Sequence, residues 1–205
     1  MQTTRLLAAS FILLVFLTSF SSAFLNELVI RLGYSVGVIT PATPAETVSV
    51  KCAPSTVKTK DGRISGSLVD SAIEKAAAFY KIDPYAICAI IKKESNFDAT
   101  ALGRDSEVGL MQVLPSTIRS ECGLDPSQLW DVNVNIRCGA KVFSKYCNLC
   151  GNNMFYCFCA YNAGPGNVGC GKSSARLICP VSSGKAKPYA YAKEASQNFN
   201  YFRNA

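Results

Sequence analysis

A chain of 205 residues that is 49% hydrophobic and 17% charged, with a formal net charge of +7, has material for one domain with a real core and is not a disordered polymer. It carries ten cysteines and no histidine. Without imidazole there is no Ser-His-Asp or Cys-His nucleophile and no His-ligated zinc, so acid–base chemistry falls to carboxylates, tyrosine or lysine.

Arg5 precedes an uncharged stretch from Leu6 to Phe24 that closes on Ser21-Ser22-Ala23, a small-x-Ala pattern. Residues 1–23 read as a secretion signal; an uncleaved membrane anchor is the other reading of so short an apolar run. Either way the remainder is exported. Residues 24–66 form an N-terminal segment and linker, in which Thr40-Pro41-Ala42-Thr43-Pro44-Ala45 has the spaced prolines of extended chain. Loss of Arg5 lowers the formal charge to +6, enough to draw the protein toward polyanions such as wall polymers or anionic lipid. No basic run or aromatic reading motif favours nucleic acid.

The domain is expected over 67–205. Leu68, Ala72, Ala76 and Phe79 recur at three- and four-residue steps and predict an amphipathic helix from about Ser67 to Tyr80. Asp83-Pro84 then supplies an N-cap and a proline at the first helical position. The helix it starts runs through Ile87, Ile90 and Ile91 to Glu94-Ser95. Glu94 lies seven, four and three residues after those isoleucines, on their face and away from Lys92 and Lys93. A carboxyl group is thus aimed inward. Desolvation beside isoleucine and the negative end of the helix dipole both raise its pKa, toward the value of about 6–7 that suits a glutamate general acid. A glutamate that merely ends a helix and bends to solvent is the structural alternative.

Two later segments carry ligand-binding chemistry. Gly109-Leu110-Met111-Gln112 places a glycine and an amide beside apolar side chains, and Ala160-Tyr161-Asn162-Ala163-Gly164 ends an apolar helix with Tyr and Asn. Glycines let backbone approach a ligand, and Gln, Asn and Tyr offer donors, acceptors and flat faces for sugar rings. Taken singly, each segment reads equally as core packing or a helix cap.

All ten cysteines lie beyond the apolar leader, eight of them within 122–179, and an even count in an exported chain argues for disulfides. Cys147-x-x-Cys150 with Cys157-x-Cys159 is the alternative four-thiolate zinc pattern, though an oxidising compartment disfavours it. Spacing leaves the pairing open. No metal or cofactor is expected, and the oligomeric state is not legible.

In order and spacing, Glu94-Ser95-Asn96-Phe97-Asp98, Gly109-Leu110-Met111-Gln112 and Ala160-Tyr161-Asn162-Ala163-Gly164, with Asn135-Ile136-x-x-Gly139-Ala140 between them, resemble the soluble lytic transglycosylase catalytic domain, related to goose-type lysozyme. The resemblance implies a mainly α, lysozyme-like fold with a glycan-binding groove, here disulfide-stabilised, and peptidoglycan strands as partner. It implies that Glu94 is the one catalytic acid, protonating the oxygen between N-acetylmuramic acid and N-acetylglucosamine. As carboxylate it would then accept the proton of the muramyl C6 hydroxyl, which closes on C1 to give a 1,6-anhydro end. It further implies sugar contacts by Ser95 and Gln112, an apolar wall at Met111, and contacts around the cleaved bond by Tyr161 and Asn162. The family's late tyrosine that hydrogen-bonds the glutamate corresponds to Tyr191, with Tyr189 the alternative. The Glu-Thr pair that usually precedes that tyrosine is absent.

Three other readings stay open. A goose-type-like lysozyme would hydrolyse the same bond, and inversion would want a second carboxylate about 6.5–9.5 Å from Glu94, with Asp98, Asp105 and Glu107 as candidates. A wall-binding protein would keep the fold without turnover. A disulfide-rich toxin or adhesin rests on the cysteine count alone.

Overall fold

The computed structural model describes residues 49–172, 176–182 and 187–205, all within one compact unit, Val48–Ala205. The apolar leader and the proline-spaced linker lie outside the described residues. Among the described residues no helix is long and apolar enough to cross a membrane.

The stretch 49–65, assigned to the linker on sequence grounds, has regular structure. Strands β1 (Thr56–Thr59) and β2 (Gly62–Ser65) form an antiparallel hairpin in the register Thr56↔Ser65 to Thr59↔Gly62, so Lys60-Asp61 makes a two-residue turn. Val50, Cys52 and Val57 are buried. The chain ahead of the hairpin is fastened to the first helix: Asp70 Oδ1 accepts from the Cys52 and Ala53 amides at 3.1 and 2.9 Å, and Glu74 Oε1 from the Val50 amide at 2.7 Å.

Helix α1 (Gly66–Tyr80) is capped by Ser65 and ends on Lys81 in the left-handed region. Its buried face is Val69, Ala72, Ile73, Ala76 and Ala77. The expected stripe is therefore rotated, since Leu68 and Phe79 face outward at 59% and 67% exposure. Two small alanines pulled the periodicity toward the large residues at the helix ends, whereas Val69 and Ile73 fill the core.

Helix α2 (Pro84–Glu94) begins as expected, with Asp83 Oδ1 accepting from the Tyr85 amide at 2.9 Å and proline in the first turn. Ala86 through Ile91 are fully buried in an unbroken run, so α2 is the central helix, covered on all sides. Each of its three isoleucines contributes about 1.5–3 kcal/mol by leaving water. After a helical turn at Pro115–Thr117, a wide turn at Ile118–Cys122 and a 3-10 segment at Pro126–Trp130, helix α3 (Val132–Leu149) packs on α1. Helix α4 (Met154–Ala163) lies against α3, and the last helix, α5 (Pro188–Asn204), packs on both α2 and α4. The α3–α4–α5 junction is aromatic: Phe143 stacks on Phe158 at 5.6 Å, and Phe158 meets Phe199 edge-on at 6.2 Å.

Ten cysteines form five disulfides: Cys52–Cys88, Cys122–Cys138, Cys147–Cys157, Cys150–Cys170 and Cys159–Cys179. The four thiols of the alternative zinc pattern are divided among three of these bonds, which overturns that reading. Each bridge closes a loop of moderate length and restricts the unfolded chain by about 3 kcal/mol.

Candidate active site

Glu94 is the last residue of α2, one turn beyond the isoleucine face that aims it inward. The helix stops there because Ser95 caps it, its amide donating to Ile91 O at 3.1 Å. The chain then reverses through two consecutive left-handed residues, Asn96 (φ 51°) and Phe97 (φ 64°). Phe97 is thereby returned to the core.

The carboxyl group faces a groove of about 560 Å³ whose other walls come from two segments. Gly103, Arg104, Asp105, Glu107, Gln112 and Leu114 supply one side. Tyr146, Tyr161, Asn162 and Gly164, from α3 and the end of α4, supply the other. Burial is the largest influence on Glu94 and pushes its pKa up to about 7; the Tyr191 hydrogen bond opposes this, and the neighbouring charge of Glu107 adds to it. Tyr191 Oη donates to Glu94 Oε1 at 2.8 Å from behind the groove. Burial and the nearby Glu94 hold the hydroxyls of Tyr191 and Tyr161 well above the usual phenol range, so both stay donors. Tyr189, the alternative partner, is half exposed and meets the Phe155 ring edge-on instead.

The wall at 103–114 is built on one buried amide. Asn135, 1% exposed in α3, accepts from the Met111 amide at 2.9 Å and donates to Val108 O at 2.8 Å and Leu129 O at 3.0 Å. Gly109 (φ 76°) passes directly over it: a Cβ there would lie 2.5 Å from Asn135 Nδ2. The sequence pattern read this glycine as room for a ligand; the room is taken by an asparagine. Gln112, also left-handed (φ 48°), commits its Nε2 to Ala101 O and Gly109 O at 3.2 and 2.9 Å, leaving Oε1 uncommitted among the described residues.

Of the residues singled out on sequence, Glu94, Gln112, Tyr161 and Asn162 meet at the groove, with Tyr191 behind Glu94. Ser95 and Met111 do not line it. Ser95 Oγ donates to Leu110 O at 2.8 Å and to Ile91 O at 3.2 Å, tying α2 to the opposite wall. Met111 is fully buried against Gly139, where an added Cβ would lie 2.5 Å from its Sδ. Its carbonyl accepts from Tyr161 Oη at 2.9 Å, so Met111 braces Tyr161 from within the core. Asn162 Oδ1 is buried without a hydrogen-bond partner among the described residues. Of the three candidate second carboxylates, Asp105 and Glu107 line the groove; Asp98 does not, and accepts from the Thr100 hydroxyl and amide. Sequence reasoning did not place Arg104 or Tyr146 as wall residues and left Glu107 as one of three candidates, because nothing in local periodicity shows which loop side chains converge.

The class of molecule is set by a helical domain with one desolvated carboxyl at the floor of an open groove. The family model for the transglycosylase SLT domain matches residues 71–176, and the chain belongs to that family. Soluble lytic murein transglycosylases of Escherichia coli K12 and O157:H7 are each 32% identical over 87 residues, 39% of this chain. The matched stretch is only 14% of those relatives' length. Among solved structures, an inactive mutant of the lytic transglycosylase Slt from Pseudomonas aeruginosa aligns with TM-score 0.55 and 24% identity, over 65% of this chain and 24% of that one. The 70-kDa soluble lytic transglycosylase of E. coli aligns with TM-score 0.56 and 23% identity, over 68% and 26%. A complex of the 70-kDa soluble lytic transglycosylase with bulgecin A gives TM-score 0.57, also at 23% identity, over 66% and 24%. At these identities the likeness is one of fold.

Proposed function

We propose that the protein is an exported peptidoglycan lytic transglycosylase in which Glu94 acts first as acid and then as base. The observation that carries this reading is a carboxyl with its pKa raised to about 7, facing a groove wide enough for a glycan and backed by a tyrosine donor. Near neutral pH a substantial fraction of Glu94 is protonated, so it can donate to a glycosidic oxygen as the C–O bond breaks. The resulting carboxylate, stabilised by Tyr191, takes the proton of the muramyl C6 hydroxyl as that oxygen bonds to C1. No water is consumed and Glu94 ends protonated, as it began.

Gln112 Oε1, an acceptor without a donor among the described residues, suits the acetamido N–H groups of such a strand, and Asn162 lines the same groove. Tyr161 contributes its ring to the wall, since its hydroxyl is spent on Met111. Ser95 and Met111 act as positioning residues. The relatives are named murein transglycosylases, which supports this substrate and reaction, and five disulfides support an oxidising compartment.

Asp105 and Glu107 in the groove favour one second reading, a hydrolase that activates water. Mass analysis of purified sacculi digested with the protein separates the two. The expected products end in 1,6-anhydro-muramyl groups, one water lighter than reducing ends; exclusively reducing ends would make the enzyme a lysozyme.

A further inference from the structure

A second concavity, of about 450 Å³, lies around the end of α2 and the last turns of α5. Lys92, Asn96 and Phe97 line it from α2 and the residues just beyond, Asn198, Tyr201 and Phe202 from α5, and Cys52, Ala53 and Pro54 complete it. We propose that this cleft is a second binding site for acetamido sugars, holding the glycan without cutting it; this rests on the glycan reading given above.

Tyr201 carries the first part of the argument. It is 69% exposed, yet its ring is not loose: it meets Phe202 edge-on at 5.4 Å, and Phe202 in turn meets the buried Phe97 at 6.3 Å. A flat ring anchored to the core and open to solvent is a stacking platform for a pyranose face. The polar groups beside it are unspent. Asn198 makes no side-chain hydrogen bond among the described residues, and Asn96 uses only Oδ1, which accepts from Lys92 Nζ at 2.6 Å, leaving Nδ2 to donate. Two carboxamides flanking an aromatic face match the alternating hydroxyl and acetamido groups of an amino-sugar chain.

Among the described residues no carboxylate lines the cleft, so it lacks a counterpart of Glu94 there and can bind but not protonate. Its volume falls within the ~300–1,000 Å³ of small-molecule sites. Asn96 and Phe97 hold a costly left-handed backbone at its edge, the kind of strain that gathers where a ligand is clamped. The residues at 52–54 and 198–202 lie outside the matched family segment, 71–176, so the cleft draws on parts of this chain that the family model does not cover. Lys92 and Asn96 flank Glu94 in sequence, which places both sites at the end of one helix.

The test is a titration of the full ¹⁵N-labelled chain, carrying Glu94→Gln, with the β-1,4-linked tetramer of N-acetylglucosamine, read on side-chain amide resonances. The expected result is a saturable shift of the Asn96 and Asn198 signals, weakened roughly three- to tenfold by Tyr201→Ala. The Gln112 and Asn162 signals should respond alike with and without that substitution. Asn96 and Asn198 signals that stay still, or that respond equally without the Tyr201 ring, overturn the proposal. A response at the cleft with none in the groove would instead overturn the proposed function and leave the cleft standing. Tyr201 is exposed, so its removal leaves the core intact, which unchanged circular dichroism would verify.

Discussion

The two walls of the groove are held by different physics. The wall carrying Tyr161, Asn162 and Gly164 is stapled: Cys147–Cys157 joins α3 to α4, and Cys150–Cys170 and Cys159–Cys179 close the chain around the end of α4. The wall at 103–114 has no cysteine at all and depends on Asn135, Ser95 and the Gln112 amide. A staple acts mainly on the unfolded chain and tolerates small shifts in packing. A buried amide with three partners acts on the folded state and holds the backbone it bonds in one arrangement.

Glu94 belongs to neither wall, and its removal sets the scale. Glu94→Gln is expected to lower glycan cleavage by about 10²–10⁴-fold, measured as release of soluble fragments from sacculi, while the fold persists. The same variant reports on linkage. The native pKa of about 7 lies above the ordinary 4.5, so the protonated carboxyl adds stability that is fully present below about pH 4.5 and lost as pH rises through 7. Glu94→Gln should therefore melt higher than the parent at pH 8, with the advantage vanishing near pH 4, and parental activity should fall above about pH 7. Equal melting at both pH values would contradict the desolvated carboxyl.

Asn135→Ala attacks the hydrogen-bonded wall. It strands the Leu129 carbonyl and the Met111 amide, while the Val108 carbonyl keeps the Val113 amide, at a cost of about 2–4 kcal/mol, and it should depress both melting temperature and activity. Removing Cys159 and Cys179 together attacks the stapled wall. We expect a loss of about 3 kcal/mol in denaturant unfolding, with the midpoint of the pH–activity profile unmoved. If the double cysteine variant moved that midpoint while Asn135→Ala did not, the contrast between the walls would be reversed. The smallest effect is expected of Tyr191→Phe, which leaves both walls alone. Loss of a donor to the carboxylate raises the Glu94 pKa further and should carry the alkaline limb of the profile upward by about one pH unit.

The sequence was most legible where one local rule decided the outcome. Asp83-Pro84 starts α2 because the cap and the proline act within a single turn, and the inward aim of Glu94 follows from 3.6-residue periodicity alone. It was least legible where distant segments meet. Val69 and Ile73 beat Leu68 and Phe79 for the core of α1 because α3 packs on that side. The hairpin at 56–65 is short and polar; it is anchored by the Ala99 amide on Lys58 O, and the chain ahead of it by Asp70 and Glu74, all long-range contacts. Ser95 and Met111 sit within the right motifs yet serve backbone and core, since the same spacing suits a groove contact and a brace beneath it. Which carboxylates share the groove with Glu94 depended on a loop whose shape Asn135 sets from 24 or more residues away.

The bond between Cys52 and Cys88 has a mechanical consequence. It joins the first described residues to the middle of α2 and encloses the hairpin and α1 within its loop. Tension on the chain ahead of Cys52 would be shared between the Val50–Glu74 and Cys52–Asp70 hydrogen bonds on α1 and, through the covalent bond, the helix that ends in Glu94. The covalent share of such a pull is thus delivered six residues from the acid, to a helix whose Ala86 to Ile91 run is fully buried.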